Sequence, residues 1–156
     1  MPISLVLDDD TQMTLQIPQI VIDTNVLIAA QRSKRGASSK LMSLVGTGRF
    51  DIHISVPLVL EYEAILLRQR VELGLNPEDV AAVVDALCAL AIPHRIYFLW
   101  RPYLRDRKDE LVLELAVTAR CNAIITFNQR DFIGIDRFGI RVLDPRTFLH
   151  DIGERQ

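Results

Sequence analysis

Cysteine is scarce in this sequence. Its 156 residues hold two, Cys88 and Cys121, and neither belongs to a C-x-x-C pair. That excludes a disulfide framework and a zinc knuckle, and both thiols are expected as small core residues. Positive charge is not in excess either. Eighteen Lys and Arg stand against 20 Asp and Glu, a net charge of −2 at pH 7. A basic nucleic-acid coat is therefore excluded, and any nucleic-acid contact needs a local basic patch or a bridging metal. Long apolar runs are missing too. The longest, "VAAVVDALCALAI", is broken by Asp85 and is too short to span a bilayer. The start, "MPISLVLDDD", lacks the basic residues and apolar length of a secretory signal. A cytoplasmic, reducing setting without a membrane is expected. His53, His94 and His150 are scattered and no nucleophile elbow occurs, so zinc and serine-hydrolase chemistry have no support.

What is present reads as one globular domain. An apolar fraction of 49% and a charged fraction of 24% are ordinary for a soluble protein of this length. Residues 1–18 differ from the rest: "LDDDTQ" is acidic and turn-like, and "MTLQIP" alternates like a short strand ended by Pro18. They are expected as an N-terminal extension, followed by a domain over 19–150 and a tail over 151–156. Within the domain, strands alternate with helices. Strands are expected at 19–22, 51–56, 95–100, 123–127 and 140–143. Helices are expected at 25–32, then from Ser39 as N-cap to Gly46, then from Pro57 to Gly74. Further helices follow from the cap Asn76 to residue 91, over 105–122, and as a closing turn at 145–152. This alternation predicts a mostly parallel α/β sheet covered on both faces. Ligands of such sheets bind beyond the carboxyl ends of the strands, at a topological switch point. Asp23 and Asn128 fall there.

Other acids stand at telling positions. Glu61 and Glu63 lie in the first turns of the helix after "ISVP", Asp106 and Asp109 open the helix "RKDELVLELA", and Asp131 follows "TFNQRD". Each has an ordinary structural role open to it. Asp23 suits a helix N-cap, and Asp106 and Asp109 suit the positive end of a helix dipole. Both glutamates have apolar neighbours at helical spacing, so periodicity does not separate them. Converging acids are another matter. At about 4 Å and an effective dielectric of about 20, each pair repels by about 4 kcal/mol. Such a cluster persists if its members protonate or a cation sits among them. Hard oxygen ligands select Mg²⁺ or Mn²⁺. That ion activates water and stabilises charge on a phosphoryl group, which points to phosphodiester hydrolysis.

Three blocks, "VIDTNVLIAA", "SVPLVLEYEAIL" and "RDRKDELVLELAVTARCNAIITFNQRDF", together resemble the PIN-domain family over about residues 19–148. The likeness is nearest to the VapC-like toxins of bacterial toxin–antitoxin pairs. It implies a three-layer α/β/α sandwich around a mostly parallel sheet and a metal-dependent endoribonuclease that cuts RNA. Residue by residue, the first family aspartate corresponds to Asp23 and the third acid to Asp109, with Asp106 assisting. The family glutamate corresponds to Glu61, which is the reason for preferring it over Glu63. The fourth position departs from the commonest pattern: Asn128 stands where many members carry aspartate. Asn supplies a neutral oxygen ligand and no charge, and Asp131 completes the acid set. Thr24, Asn25 and Thr126 match positions that orient carboxylates or bind phosphate.

An acidic site needs basic surroundings to hold RNA. Arg32, Lys34, Arg35 and Lys40 follow the first helix, and Arg101, Arg105, Arg107 and Lys108 precede Asp109. Gly36 is expected to loosen the first of these loops. Phe98 and Trp100 read as core, with Tyr103 as a possible stacking group. The resemblance also implies an antitoxin covering the acid groove with a basic side chain, and a homodimer through the helices at 57–73 and 77–91. Two alternatives stand beside the toxin: a housekeeping RNA-processing PIN nuclease, and a catalytically degenerate PIN fold that binds RNA or protein. A receiver-like phosphoacceptor lacks the acidic pair and lysine it needs.

Overall fold

The computed structural model describes residues 4–7, 13–96 and 104–154. Ser4–Leu7 (β1) and Met13–Gln16 (β2) pair antiparallel, with Leu5 opposite Leu15. The extension thus contains a short hairpin, while the acidic turn read at 8–12 lies outside the described residues. Strands β3 (Gln19–Ile22), β4 (Asp51–Ser55), β5 (Ile92–His94), β6 (Ala123–Ile125) and β7 (Arg141–Leu143) form one sheet in the order β5-β4-β3-β6-β7. Every pairing in it is parallel. The chain moves outward from β3 through β4 to β5, then returns to place β6 on the other side of β3. The order reverses there, so the carboxyl ends of β3 and β6 bound the switch point.

Helices α1 (Thr24–Arg32), α2 (Ala37–Ser43), α3 (Val56–Leu73), α4 (Pro77–Leu90), α5 (Arg107–Thr118) and α6 (Pro145–Asp151) cover the sheet on both faces in a three-layer α/β/α arrangement. Burial explains why the central strands are uniformly apolar. Ile20 and Val21 of β3 and Ile124 and Ile125 of β6 are fully buried, as parallel strands with two covered faces must be. Helix α5 lies along β3, β4 and β6, with Leu113, Leu115 and Ala116 fully enclosed.

The ends of the elements follow local chemistry. Asn76 and Asp79 form a reciprocal capping box at α4. Gly74 ends α3 in the left-handed region, at φ 71°. The expected start of α2 is corrected: Gly36, not Ser39, is its N-cap, and the helix ends at Ser43 before Gly46. Gly36 is extended there, so it caps a helix rather than opening a left-handed turn. The strand expected at 95–100 falls largely outside the described residues, which exclude 97–100 with Phe98 and Trp100, and also Arg101 and Tyr103. The strand that pairs with β4 is Ile92–His94. Pro93 disguised this strand, because proline cannot donate to a ladder and is tolerated at an edge. Strand β6 stops at Ile125; the Thr126 N–H still bonds the Leu143 carbonyl of β7, and the Phe127 N–H turns away to Asn25.

Cys121 is buried and its thiol is pushed up to about 12 by burial, but Cys88 is exposed, against expectation. The histidines are less scattered than their numbers. His53 Nδ1 lies 2.7 Å from His94 Nε2, and His53 Nε2 lies 2.6 Å from Gln19 Oε1. Among the described residues no third ligand joins them to make a metal site. No helix among these residues is long and apolar enough to cross a membrane.

Buried Tyr62 ties α3 to the central strand, its hydroxyl donating to the carbonyl of Ile22. Tyr62→Phe removes that donor and leaves the shape unchanged. Loss of the hydrogen bond is expected to cost about 1 kcal/mol, read in a thermal melt as a fall of about 2–4 °C in Tm. An unchanged Tm would show that the bond adds nothing to stability.

Candidate active site

Asp23 follows the last residue of β3 and precedes the first of α1. Two of its demands are met locally. Its backbone N–H donates to the Ile125 carbonyl at 2.9 Å, which extends the β3–β6 ladder past Ile22. Its Oδ1 accepts from the Thr24 backbone N–H at 2.8 Å, which caps α1. The second oxygen faces Thr126. Thr126 Oγ1 donates to Asp23 Oδ2 at 2.8 Å and accepts from Asn25 Nδ2 at 3.2 Å and the Asn128 N–H at 3.0 Å. A hydroxyl has one proton and two lone pairs, so these three bonds saturate it. Thr126 is fully buried and reaches this place because β6 ends one residue earlier.

The other acids approach from separate elements. Glu61 lies on α3, half-buried and ion-paired with Lys108 Nζ at 3.4 Å, whereas Glu63 is exposed. Periodicity left these two equivalent; their burial separates them. Asp109 lies in the first turn of α5. Asp106 is the N-cap of that helix, accepting from the Lys108 N–H at 2.8 Å. Asp131 lies in a 3-10 turn, Gln129–Phe132, that begins after Asn128. Asn128 and Asp131 are both exposed.

Electrostatics shows that these groups sense one another. Burial pushes the Asp23 carboxyl up, the bonds from Thr126 and Thr24 pull it back, and the charges of Asp131 and Glu61 push it up again. Asp109 is pushed up to about 7, first by burial and then by Asp131, Asp23, Asp106 and Glu110. Cations stand close by. Arg105 and Arg107 share with Asp106, Asp109 and Asp131 an open cavity of about 440 Å³. Arg32 is drawn elsewhere, donating to Gln69 Oε1 on α3 at 3.0 Å. Lys34 and Arg35 are exposed in the turn between α1 and α2.

A divalent ion suits the donor set by kind: the groups are hard oxygens whose mutual repulsion a cation would reverse. The spacing is wider than a closed ligand shell. Among the described residues no three His, Cys, Asp or Glu side chains form a group that could hold one ion directly. Mg²⁺ keeps several waters and needs only one or two direct carboxylates, so these residues would suit a largely hydrated ion rather than a fully ligated one.

Sequence reasoning passed over some neighbours. Glu110 and Glu114 on α5 are buried acids, and Glu110 accepts from the Leu104 N–H. Both lay inside an apparently regular helix, with no signal to lift them out. Phe127 reads in the sequence as the end of a strand, but it lies beyond β6 with half its surface exposed.

The model of the PIN domain family matches residues 19–130. Comparison with curated proteins gives no match. Among solved structures, the chain is similar to VapBC2 from Rickettsia felis bound to a DNA fragment from their promoter. The TM-score is 0.57 at 13% identity, over 81% of this chain and 99% of that one. VapBC-1 from nontypeable Haemophilus influenzae gives 0.55 at 14% identity, over 81% and 98%. DNA-bound VapBC from Salmonella typhimurium gives 0.57 at 19% identity, over 83% and 99%.

The raised Asp109 carboxyl has a consequence for stability. Its folded value of about 7 stands above the ordinary 3.8. The stability it contributes is therefore complete below about pH 4 and is lost as pH rises through about 7. Asp109→Asn removes the ionisation, so it is expected to raise the chelator-treated protein's Tm at pH 8 and leave it unchanged at pH 4. Screening at this half-exposed group limits the gain to about 2 °C. A lower Tm at pH 8 would show that the acids do not repel Asp109.

Proposed function

The chain belongs to the PIN-domain family, and on that premise we propose that it is an endoribonuclease that hydrolyses RNA phosphodiester bonds with Mg²⁺ or Mn²⁺. The observation that carries the reading is geometric: Asp23 stands at the end of β3 with Oδ2 bonded by Thr126, and Asp109 and Asp131, from other elements, line one cavity with Asp106. Acids near a sheet's switch point are where a cation-dependent site is expected.

Asp23, Glu61, Asp109 and Asp131 are the proposed acidic ligands, with Asn128 as a neutral oxygen donor. The bound ion supplies an activated water and charge to offset that on the phosphoryl group. The residues do the positioning. Thr126 and Thr24 fix both oxygens of Asp23, and Asn25 braces Thr126. Asp106 secures the first turn of α5 and so the place of Asp109. Arg105, Arg107 and Lys108 lie beside the acids and Lys34 and Arg35 in the turn after α1, as phosphate contacts that hold an anionic strand against an anionic site.

A second reading is favoured by three observations: the absence of a close three-acid group among the described residues, the ion pair that engages Glu61 with Lys108, and the neutral Asn128. On it the chain is a degenerate PIN fold that binds RNA or protein without cutting. The narrower assignment, a toxin with a cognate antitoxin in the cytoplasm, draws on the VapBC structures and is distinguished from a housekeeping nuclease by the presence of that partner. A homodimer is supported by α3, where exposed Val56, Leu60, Leu67 and Val71 fall within one stripe at helical spacing.

Incubation with a mixed single-stranded RNA panel, with Mn²⁺, with Mg²⁺ and with chelator, separates the two readings. Metal-dependent cleavage lost in Asp23→Asn is the expected result, with at least a hundredfold fall in rate. No cleavage together with no Mn²⁺ heat in titration calorimetry would remove the nuclease and leave the binding module. For the basic turn, Lys34→Ala with Arg35→Ala is expected to weaken RNA binding. The slope of log K against log salt should fall by about 1.4, two phosphates' worth on a single strand. An unchanged slope would place RNA elsewhere.

A further inference from the structure

Next to Asp23 lies a second open cavity, of about 390 Å³, between α1, α3 and the end of β6. Its volume is at the small end for ligand sites, enough for one planar ring system rather than an extended ligand. Its walls follow from helical spacing. Asn25, Ile28 and Arg32 recur along one face of α1, and Ile65 and Gln69 along the facing side of α3. One end carries Asn25 beside the acids. The other carries Arg32, joined to Gln69 at 3.0 Å and about 10 Å farther along α1 at 1.5 Å per residue. The apolar middle is made of Ile28, Ala29 and Ile65.

Phe127 completes the acid end. Phe127 is half exposed, and the backbone that carries its ring is held. The Phe127 N–H donates to Asn25 Oδ1 at 3.2 Å, and Asn25 Nδ2 donates to Thr126 Oγ1 at 3.2 Å and lies 3.4 Å from Asp23 Oδ2. One amide thus links the backbone of the aromatic residue to the central carboxylate.

We propose that this cavity is a nucleobase subsite: a base of single-stranded RNA, next to the phosphate at Asp23, stacks on Phe127 and presents its edge to Arg32 and Gln69. The inference rests on the RNA reading above and adds which base the strand offers and where. Every base has a π-face, so stacking supplies affinity without choice. Choice comes from the far end. Arg32 has donors left after Gln69, and the Gln69 amide adds two more. A donor-rich end favours the adjacent O6 and N7 acceptors of guanine over adenine, whose amino group would meet another donor. An apolar protein side chain would fit the middle of the cavity but make no use of those donors, which a base edge would engage.

The test is fluorescence anisotropy in chelator, with labelled single-stranded RNA pentamers in which one abasic residue is moved along the strand. Cleavage with Mn²⁺ is measured in parallel. Phe127→Ala is expected to weaken binding by about 5- to 150-fold, and Phe127→Tyr to restore it. One abasic position should weaken binding to the wild type and have no further effect on Phe127→Ala. Gln69→Leu should reduce the preference for guanine over adenine at that position. Phe127 is at the surface, and a melt of each variant verifies folding. Binding within twofold of wild type for Phe127→Ala, or an equal abasic effect in both proteins, would overturn the proposal and assign the cavity to a protein side chain. No RNA binding by the wild type would overturn it as well. Cleavage with unchanged Phe127→Ala binding sinks the subsite and leaves the nuclease. Base-dependent binding with neither cleavage nor Mn²⁺ heat in calorimetry supports the subsite and removes the nuclease.

Discussion

A carboxylate buried at the end of the central strand is the constraint around which this domain is arranged. Asp23 is a tenth exposed or less, and an ionised group so placed is unfavourable unless its oxygens are bonded. The fold bonds them from two directions. Oδ1 takes the first free N–H of α1, and Oδ2 takes the hydroxyl of Thr126 from the neighbouring strand. A helix cap uses only one of the two oxygens: Oδ1 caps α1, and Oδ2 is bonded across to the residue after β6. Thr126 in turn has no bonding capacity left, so a shift of β6, α1 or the turn after β6 would break a buried bond.

The remaining acids show how a rigid scaffold stores repulsion. Glu61, Asp109 and Asp131 come from α3, α5 and the turn after β6, and no short loop joins them. Their approach is set by the packing of Leu58, Tyr62 and Leu66 under α3 and of Leu113, Leu115 and Ala116 under α5. These apolar contacts hold the charges near one another, and burial together with the neighbouring acids pushes the Asp109 carboxyl up. Lys108 offsets part of the field at Glu61. Screening by water at the exposed members keeps each pair well below the several kcal/mol of a close buried contact.

What the sequence discloses is set by range. Parallel strands covered on both faces are legible in "IVI" and "AII", because burial on two sides leaves no polar position. Asp23 is legible because a charge directly after such a strand needs a partner. Asp106 and Asp109 are equally visible as the opening of α5, though only the structure makes the first the cap and the second the member of the cluster. Glu61 and Glu63 are not separable locally: both have apolar neighbours on α3, and what distinguishes them is the position of α5, fixed by contacts across the sheet. Strand β5 hides behind Pro93. His53 and His94 are 41 residues apart and meet only because β4 and β5 pair. Phe127 is hidden by its own apolarity, which reads as continued strand until β6 is seen to stop at Ile125.

That early stop links the acid site to the cavity beside it. The Thr126 N–H still bonds the Leu143 carbonyl of β7, while its hydroxyl turns to Asp23; Phe127 is the residue that leaves the pairing, and its N–H turns to Asn25. Asn25 is thereby bonded to both residues that follow the strand end. Its amide cannot rotate without releasing either the Thr126 hydroxyl or the Phe127 N–H, so one side chain ties the backbone after β6 to the start of α1.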